Sequence, residues 1–524
     1  MTTTVADPAS KSGTQQPHVA KATVETGDWS VIVVGAGFGG LGIARELKKA
    51  GIPFLVVEEN PHVGGVWWDN RYPGASCDVP SHLYSFAFDP YRDATTRYPD
   101  QRAILHYLCE IVDRHGLRPH LRLNTAITAA TYSNDGRWTI TTDRGETLRA
   151  DNVVWAVGQL HRPHIPTIPG QDQFAGAAFH SARWDHSVEW AGRDVAVIGT
   201  GSSGAQIVGA VARDARRVTV YQRTPAWILP KPAACFGPIT RWTLAHLPAA
   251  HALYRTAIQY GADAVLAPVM TGGWSARPVQ WAAKAHLWWR IRDPQLRAQL
   301  TPGYAIGEKR ILIDSTFYPA LRQPHVQLVT DQIDCLTGDG IRASDGTHRR
   351  HDVIVYATGF KATEFLKPIT VRGRDGIDLH QQWSDGAEAY LGLAVPGFPS
   401  MWLIAGPHSF TASNSNPTMK QFATRYILRG IQLRSQLGTP IEVSAHAMRR
   451  YRTWLETAMA RTVWPKGVPS WFKTEAGRVT NPWPATARAY DRMTCTDPAE
   501  VFVSVPTSRM PPASTAGSRP ASVA

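Results

Sequence analysis

Paired cysteines are missing from this sequence. Its five, Cys77, Cys109, Cys235, Cys335 and Cys495, include no Cys-x-x-Cys and no other close pair, which argues against a disulfide framework or a zinc site and for a reduced, cytoplasmic chain. No apolar run is long and uncharged enough to span a bilayer, and the first residues hold nothing resembling the core of a signal peptide. Long Lys/Arg blocks and zinc-finger spacings are absent too. The 55 Lys+Arg against 42 Asp+Glu give a net charge of +13. This reads as a basic surface with cations kept for cofactor phosphates, and no nucleic-acid partner is expected. What is present is 524 residues, room for about two or three domains with sizeable cores.

Two stretches put a glycine loop after a buried-strand pattern. The first runs from Trp29 to Val34 into Gly35-Ala36-Gly37-Phe38-Gly39-Gly40, then into a helical pattern (Leu41, Ala44, Leu47) that Gly51 can cap. A strand from Phe54 to Val57 follows and ends in Glu58, an acid placed to accept hydrogen bonds from a ribose diol. The second runs from Val195 to Ile198 into Gly199-Thr200-Gly201-Ser202-Ser203-Gly204. Without a Cβ the turn is tight, and the backbone N–H groups of the coming helix can approach a pyrophosphate. After the next strand, Val218 to Tyr221, the acid is replaced by Gln222-Arg223-Thr224. A guanidinium there can grip a 2′-phosphate that an acid would repel. The pattern predicts an α/β fold with two Rossmann-like dinucleotide-binding domains. FAD is expected on Gly35, Gly37, Phe38, Gly40 and Glu58, and NADPH on the second loop with Arg223 and Thr224.

The spacing elsewhere predicts an amphipathic helix from Gln101 to about Arg114, a small meander between Ala126 and Thr142, and buried strands ending at Gly158, Gly359 and Pro407. From 230 to 302 the pattern turns helical and Trp-rich, broken by Pro248, Pro268 and Pro278. This predicts an inserted helical subdomain whose Trp274, Trp281, Trp288 and Trp289 form its core, the alternative being that they line an apolar entrance to the active site. The expected organisation is an FAD-binding domain from 28–158 and 377–505, an NADPH-binding domain from 159–376 that includes the insertion, and mobile extensions at 1–27 and 506–524.

Three motifs carry a family resemblance. Gly64-Gly65-Val66-Trp67, then Tyr72-Pro73-Gly74 and Asp78, resembles the flavin-proximal fingerprint of the Baeyer-Villiger monooxygenases. Phe174-x-Gly176-x-x-x-His180-x-x-x-Trp184-Asp185 resembles that family's second fingerprint at every defined place. Gly307-Glu308-Lys309-Arg310 stands before a buried strand, where a charge at a strand edge needs a partner.

The resemblance implies that Gly65, Trp67, Asp78 and Tyr84 lie by the flavin. It makes Arg310 the catalytic arginine contacted by Asp78, with Lys309 at a cofactor phosphate and Trp471 of Ser470-Trp471-Phe472 against NADP. Phe174, Gly176, His180, Trp184 and Asp185 then couple the two domains and do not touch substrate. The implied reaction takes an apolar ketone and O2: NADPH reduces FAD, a C4a-peroxyflavin forms, and its attack on the ketone gives an ester or lactone. An N- or S-oxygenating flavin monooxygenase is the alternative. One departure is Ser413-Asn414-Ser415-Asn416-Pro417, which replaces the family's usual apolar helix opening and alters the expected pocket wall.

Overall fold

A computed structural model describes residues 28–92, 94–232 and 235–507. The extension expected at 1–27, and all but the start of that at 506–524, lie outside the described residues. The chain opens with β1 (Asp28–Val34), in which Val31, Ile32 and Val33 are fully buried, as a β-branched run covered on both faces requires. It turns at Gly35 into α1 (Phe38–Lys49) and returns as β2 (Phe54–Val57), parallel to β1. α2 (Gln101–Arg114) starts at Asp100, whose Oδ1 accepts from the Ala103 N–H at 2.8 Å. Two antiparallel strands, Ile127–Tyr132 and Trp138–Thr142, lead to β3 (Thr147–Trp155), which pairs in parallel with the other edge of β1.

The second sheet is entirely parallel. β4 (Ala177–His180) precedes β5 (Asp194–Ile198), α3 (Ser202–Val211) and β6 (Arg217–Tyr221). The two-residue strand Ile228–Leu229 then pairs with Leu312–Ile313. Between these strands the chain forms α4 (Pro238–His246), α5 (Pro248–Val265), a short turn at Pro268–Thr271 and α6 (Ala276–Arg290). β7 (Val326–Val329) and β8 (Val353–Tyr356) complete the order β7-β6-β5-β8-β4. The chain then crosses back: Thr370–Arg372 pairs with Ile127–Tyr132, and β9 (Met401–Leu403) pairs with β3 before α7 (Asn416–Leu437) packs on α1.

Three expectations need correction. The expected boundary at 377 puts Thr370–Arg372 on the NADPH side, yet it belongs to the first sheet, where Val371 is buried in one core with Trp138 and Ile140. The tryptophans of the insertion do not form its core: Trp274, Trp281, Trp288 and Trp289 are 69%, 70%, 62% and 71% exposed. The buried face of α6 is Val279, Ala283, His286 and Leu287, so helical spacing gave the helix and not its inward side. Pro278 does not break that helix either. It sits in the first turn, where the backbone N–H has no helical partner to lose.

Among the described residues no helix is long and apolar enough to cross a membrane, and no group of three or more His, Cys, Asp or Glu is placed to hold a metal ion.

Candidate functional site

Gly35 and Gly199 occupy the same place in the two turns, with φ of +102° and +108°. A Cβ would lie 2.7 Å from the Ala156 carbonyl oxygen at Gly35 and 2.5 Å from that of Ala357 at Gly199. Each helix beyond starts on a glycine, Gly37 or Gly201, with no side chain capping it. The N–H groups of the first turn are thus left for an anion. Each loop follows a strand, β1 or β5, that pairs in parallel on both sides, at the carboxyl end where nucleotides bind in such folds. Gly40 and Gly204 pack against the Gly35 and Gly199 carbonyls.

Glu58 is buried at the end of β2. Its Oε2 accepts from the Ala36 N–H at 2.6 Å and its Oε1 from Asn60. Burial raises its pKa, while these hydrogen bonds work the other way. The acid therefore braces the glycine loop and leaves Oε2 able to accept one further hydrogen bond.

The loop from Gly64 to Asp78 lies over this turn. Gly64 N–H donates to the Ala36 carbonyl at 3.0 Å, and Gly65 faces Gly37. Trp67 Nε1 donates to Tyr84 Oη at 3.1 Å, and the Phe38 ring meets Tyr84 edge-on at 5.2 Å. Where the loop ends, Asp78 takes two hydrogen bonds from Arg310 Nη2, at 2.7 and 2.9 Å. The Asp78 charge raises the Arg310 pKa, against a smaller opposing effect of burial. Arg310 also lies 5.7 Å from the Phe410 ring centroid, and Phe410 meets Trp471 edge-on at 4.9 Å.

The Asp78–Arg310 pair opens into a cavity of about 300 Å³. Its apolar wall includes Leu83, Leu229 and Ile311, with Ile258, Leu266 and Met270 contributed by the insertion. Ser413 and Asn414, from the stretch that departs from the family pattern, form a polar part of the lining. Asn414 Nδ2 donates to Asp263 Oδ1 at 2.8 Å and to the Gln259 carbonyl at 3.1 Å, which ties α5 to the start of α7.

Around the second glycine loop, Thr200 Oγ1 donates to the Thr224 carbonyl at 3.5 Å, and Ser202 and Ser203 open α3. Arg223 is exposed just beyond β6. Burial lowers the Lys309 pKa and the nearby Arg223 charge lowers it further. Two cations close enough to repel one another at the mouth of a glycine loop fit a phosphate-bearing nucleotide.

The segment with the second fingerprint is built as a brace. His180 Nε2 bonds the Gly359 carbonyl at 2.9 Å and its Nδ1 accepts from the Ala182 N–H at 3.1 Å. Burial holds its pKa down at about 4, so it is neutral near pH 7 and tethers β4 to the loop after β8. Trp184 is buried between Phe179 and Trp190, at 5.0 and 5.8 Å. Asp185 caps a turn through the Ser187 N–H at 2.9 Å. Gly176 leaves no space for a Cβ between the Phe174 ring and the Asp352 carbonyl, each 2.6 Å away.

Sequence reasoning missed the links between the two halves. Arg183 Nη1 lies 3.1 Å from Asp69 Oδ1, joining this brace to the flavin-side loop. Burial raises the Asp69 pKa to about 6 despite that partner. Gln206 of α3 accepts from Tyr72 Oη at 3.0 Å and donates to the Ser76 carbonyl at 2.9 Å. Lys231 Nζ donates to Ser76 Oγ at 2.9 Å. The fingerprint segments that hold Asp69, Tyr72, Ser76 and Arg183 were a signal in the sequence, whereas nothing marked Gln206 or Lys231.

Comparison with known proteins agrees with this geometry. The family model for pyridine nucleotide-disulphide oxidoreductases matches residues 32–260. Disulfide chemistry does not fit, since all five cysteines are free and burial pushes the flavin-side Cys77 up to about 12. A Baeyer-Villiger monooxygenase of Streptomyces coelicolor is 40% identical over 474 residues, 88% of this chain and 90% of its own. A solved steroid monooxygenase bound to NADP superposes with a TM-score of 0.83 at 29% identity, covering 91% of this chain and 100% of its own. A solved OTEMO complex with FAD and NADP gives 0.82 at 26% identity, over 91% and 99%. With two glycine loops that suit these two cofactors, the chain belongs to the Baeyer-Villiger monooxygenases, FAD- and NADPH-dependent enzymes that use O2 to convert a ketone into an ester or lactone.

Proposed function

We propose that this enzyme takes an apolar ketone into the cavity beside Arg310 and carries out its oxygen insertion there. The reading rests on one observation: the Asp78-held guanidinium lies at the wall of a pocket that is otherwise largely aliphatic. FAD is assigned to the first sheet, with Glu58 on its ribose, Gly35, Gly37, Phe38 and Gly40 at its pyrophosphate, and Gly65, Trp67 and Tyr84 along it. NADPH is assigned to the loop from Gly199 to Gly204, with Arg223, Thr224 and Lys309 at its 2′-phosphate end and Trp471 against it. When bound, the flavin accepts a hydride from NADPH and activates O2.

The protein's own residues supply placement and charge. A guanidinium about 4 Å from a developing negative charge, at an effective dielectric near 20, contributes roughly 4 kcal/mol. Arg310 is that guanidinium, and Asp78 fixes its position. Val79, Leu83 and Ile311 at the cavity wall keep water from the reacting oxygen atoms. His180 and Trp184 act through the domain junction, and neither touches substrate. The free cysteines support a cytoplasmic location.

Supplying the holoenzyme with NADPH, air, a ketone and a sulfide together tests the assignment. Ester or lactone is the expected main product. Sulfoxide alone would assign the chain to the N- or S-oxygenating branch.

A further inference from the structure

The helical insertion wears its apolar residues on the outside. On α6, Arg277, Trp281, Lys284 and Trp288 share one exposed stripe at helical spacing, with Trp289 beside it. Large aromatics that open to water are costly to keep on a monomer surface and mark a contact. No acid interrupts them: between Asp263 and Asp293 the chain has none, while Arg277, Lys284, Arg290 and Arg292 fall in that interval. Two guanidinium groups lie on the tryptophans themselves, Arg290 4.3 Å from the Trp289 ring centroid and Arg297 4.2 Å from that of Trp288.

α5 repeats the inversion. Its only charged residues turn inward. Arg255 donates to the His82 carbonyl at 2.6 Å and the Ser85 carbonyl at 3.1 Å, and Asp263 accepts from Asn414 and from the Ala487 N–H at 3.2 Å. Its outward residues include Leu253, Ala257, Tyr260 and Ala264, all exposed. On α4, which packs on α5, Ile239 and Trp242 are 82% and 57% exposed.

We infer that this face docks on an anionic lipid surface. Tryptophan and long cations interspersed along a helix are what the membrane–water interface selects, the ring at headgroup depth and the charge on lipid phosphate. A second copy of the chain fits worse. A two-fold contact through the α6 stripe would set Arg277 and Lys284 against their own copies, with no acid there to neutralise them. The inward side of α5 lines the cavity beside Arg310 through Ile258 and Ala262, so the docked helix separates lipid from the catalytic pocket. This placement suits a ketone that partitions into membranes.

The test is flotation of the full-length holoenzyme with phosphatidylglycerol-containing vesicles and with pure phosphatidylcholine vesicles, at low and high salt. The wild type is expected to float with the anionic vesicles and to be released by salt. Each lost cation should weaken partition about fivefold, so Arg277→Gln with Lys284→Gln lowers it roughly twenty-five-fold. Trp281→Ser with Trp288→Ser and Trp289→Ser should abolish flotation while bound FAD and NADPH oxidation stay unchanged. Absence of wild-type flotation, or flotation the tryptophan variant retains, overturns the proposal. So does a wild-type dimer that this variant converts to monomer without any vesicle binding, which would assign the face to a second copy.

Discussion

Asp78 and Arg310, 232 positions apart in the chain, meet through a single guanidinium nitrogen: Nη2 donates to both carboxylate oxygens, at 2.7 and 2.9 Å. The forked pairing that would engage two nitrogens is not formed, so the carboxylate anchors one corner of the guanidinium. Asp78→Ala should therefore leave the charge in place and loosen its position. Ester formation is expected to fall about a hundredfold, the usual cost of an ångström-scale misplacement, with hydrogen peroxide released in its stead. Product and peroxide assays on one sample check this, and full ester yield would show that Arg310 needs no anchor.

Arg223→Ala removes the charge-assisted contact proposed for the 2′-phosphate, a contribution of about 1.5–3 kcal/mol. The preference for NADPH over NADH should drop roughly ten- to a hundredfold, nearly all of it in KM for NADPH. Comparing kcat/KM for the two nucleotides measures it. An unchanged ratio would put the phosphate elsewhere.

Glu58→Ala takes away the acceptor of the buried Ala36 N–H as well as the expected ribose contact. The variant should lose flavin on gel filtration and unfold more readily by about 1–3 kcal/mol. Absorbance near the flavin bands and urea unfolding report the two effects separately. A variant that keeps its full flavin complement would remove Glu58 from the cofactor site.

Buried histidines set the acid limit. His180, His351 and His408 are each held down at about 4 by burial, whereas in the unfolded chain they protonate near 6.5. Between these values the unfolded state binds more protons, so stability is full above about pH 6.5 and falls as pH drops toward 4. Each contributes up to about 3 kcal/mol to that fall. Thermal unfolding between pH 7 and 4 should show it, and His180→Gln should flatten the curve. A midpoint constant over this interval would contradict the buried, neutral assignment.

The sheets and their glycine loops were legible because strand, tight turn and helix are local. Val31 to Val34, Gly35 and the start of α1 follow one another within a few residues, and so do Val195 to Ile198, Gly199 and α3. The contacts that join the halves were not. Gln206 reaches Tyr72 across 134 positions and Lys231 reaches Ser76 across 155, and nothing local marks either residue. The insertion misled for another reason. α5 carries Ala, Leu, Ile and Tyr, and α6 Ala, Leu and Trp, around much of their circumference, so apolar spacing alone did not say which face is buried. Thr370–Arg372 is too short to show a period, and only its pairing with Ile127–Tyr132 assigns it to the first sheet.

The central claim is that the charge of Arg310 drives oxygen transfer, and Arg310→Ala tests it most directly by quantifying ester and hydrogen peroxide per NADPH consumed with a ketone substrate. The variant should still bleach its flavin with NADPH, while ester falls by about three orders of magnitude, the equivalent of about 4 kcal/mol, and peroxide accounts for the oxygen used. Ester formed at the wild-type rate and yield would contradict the account.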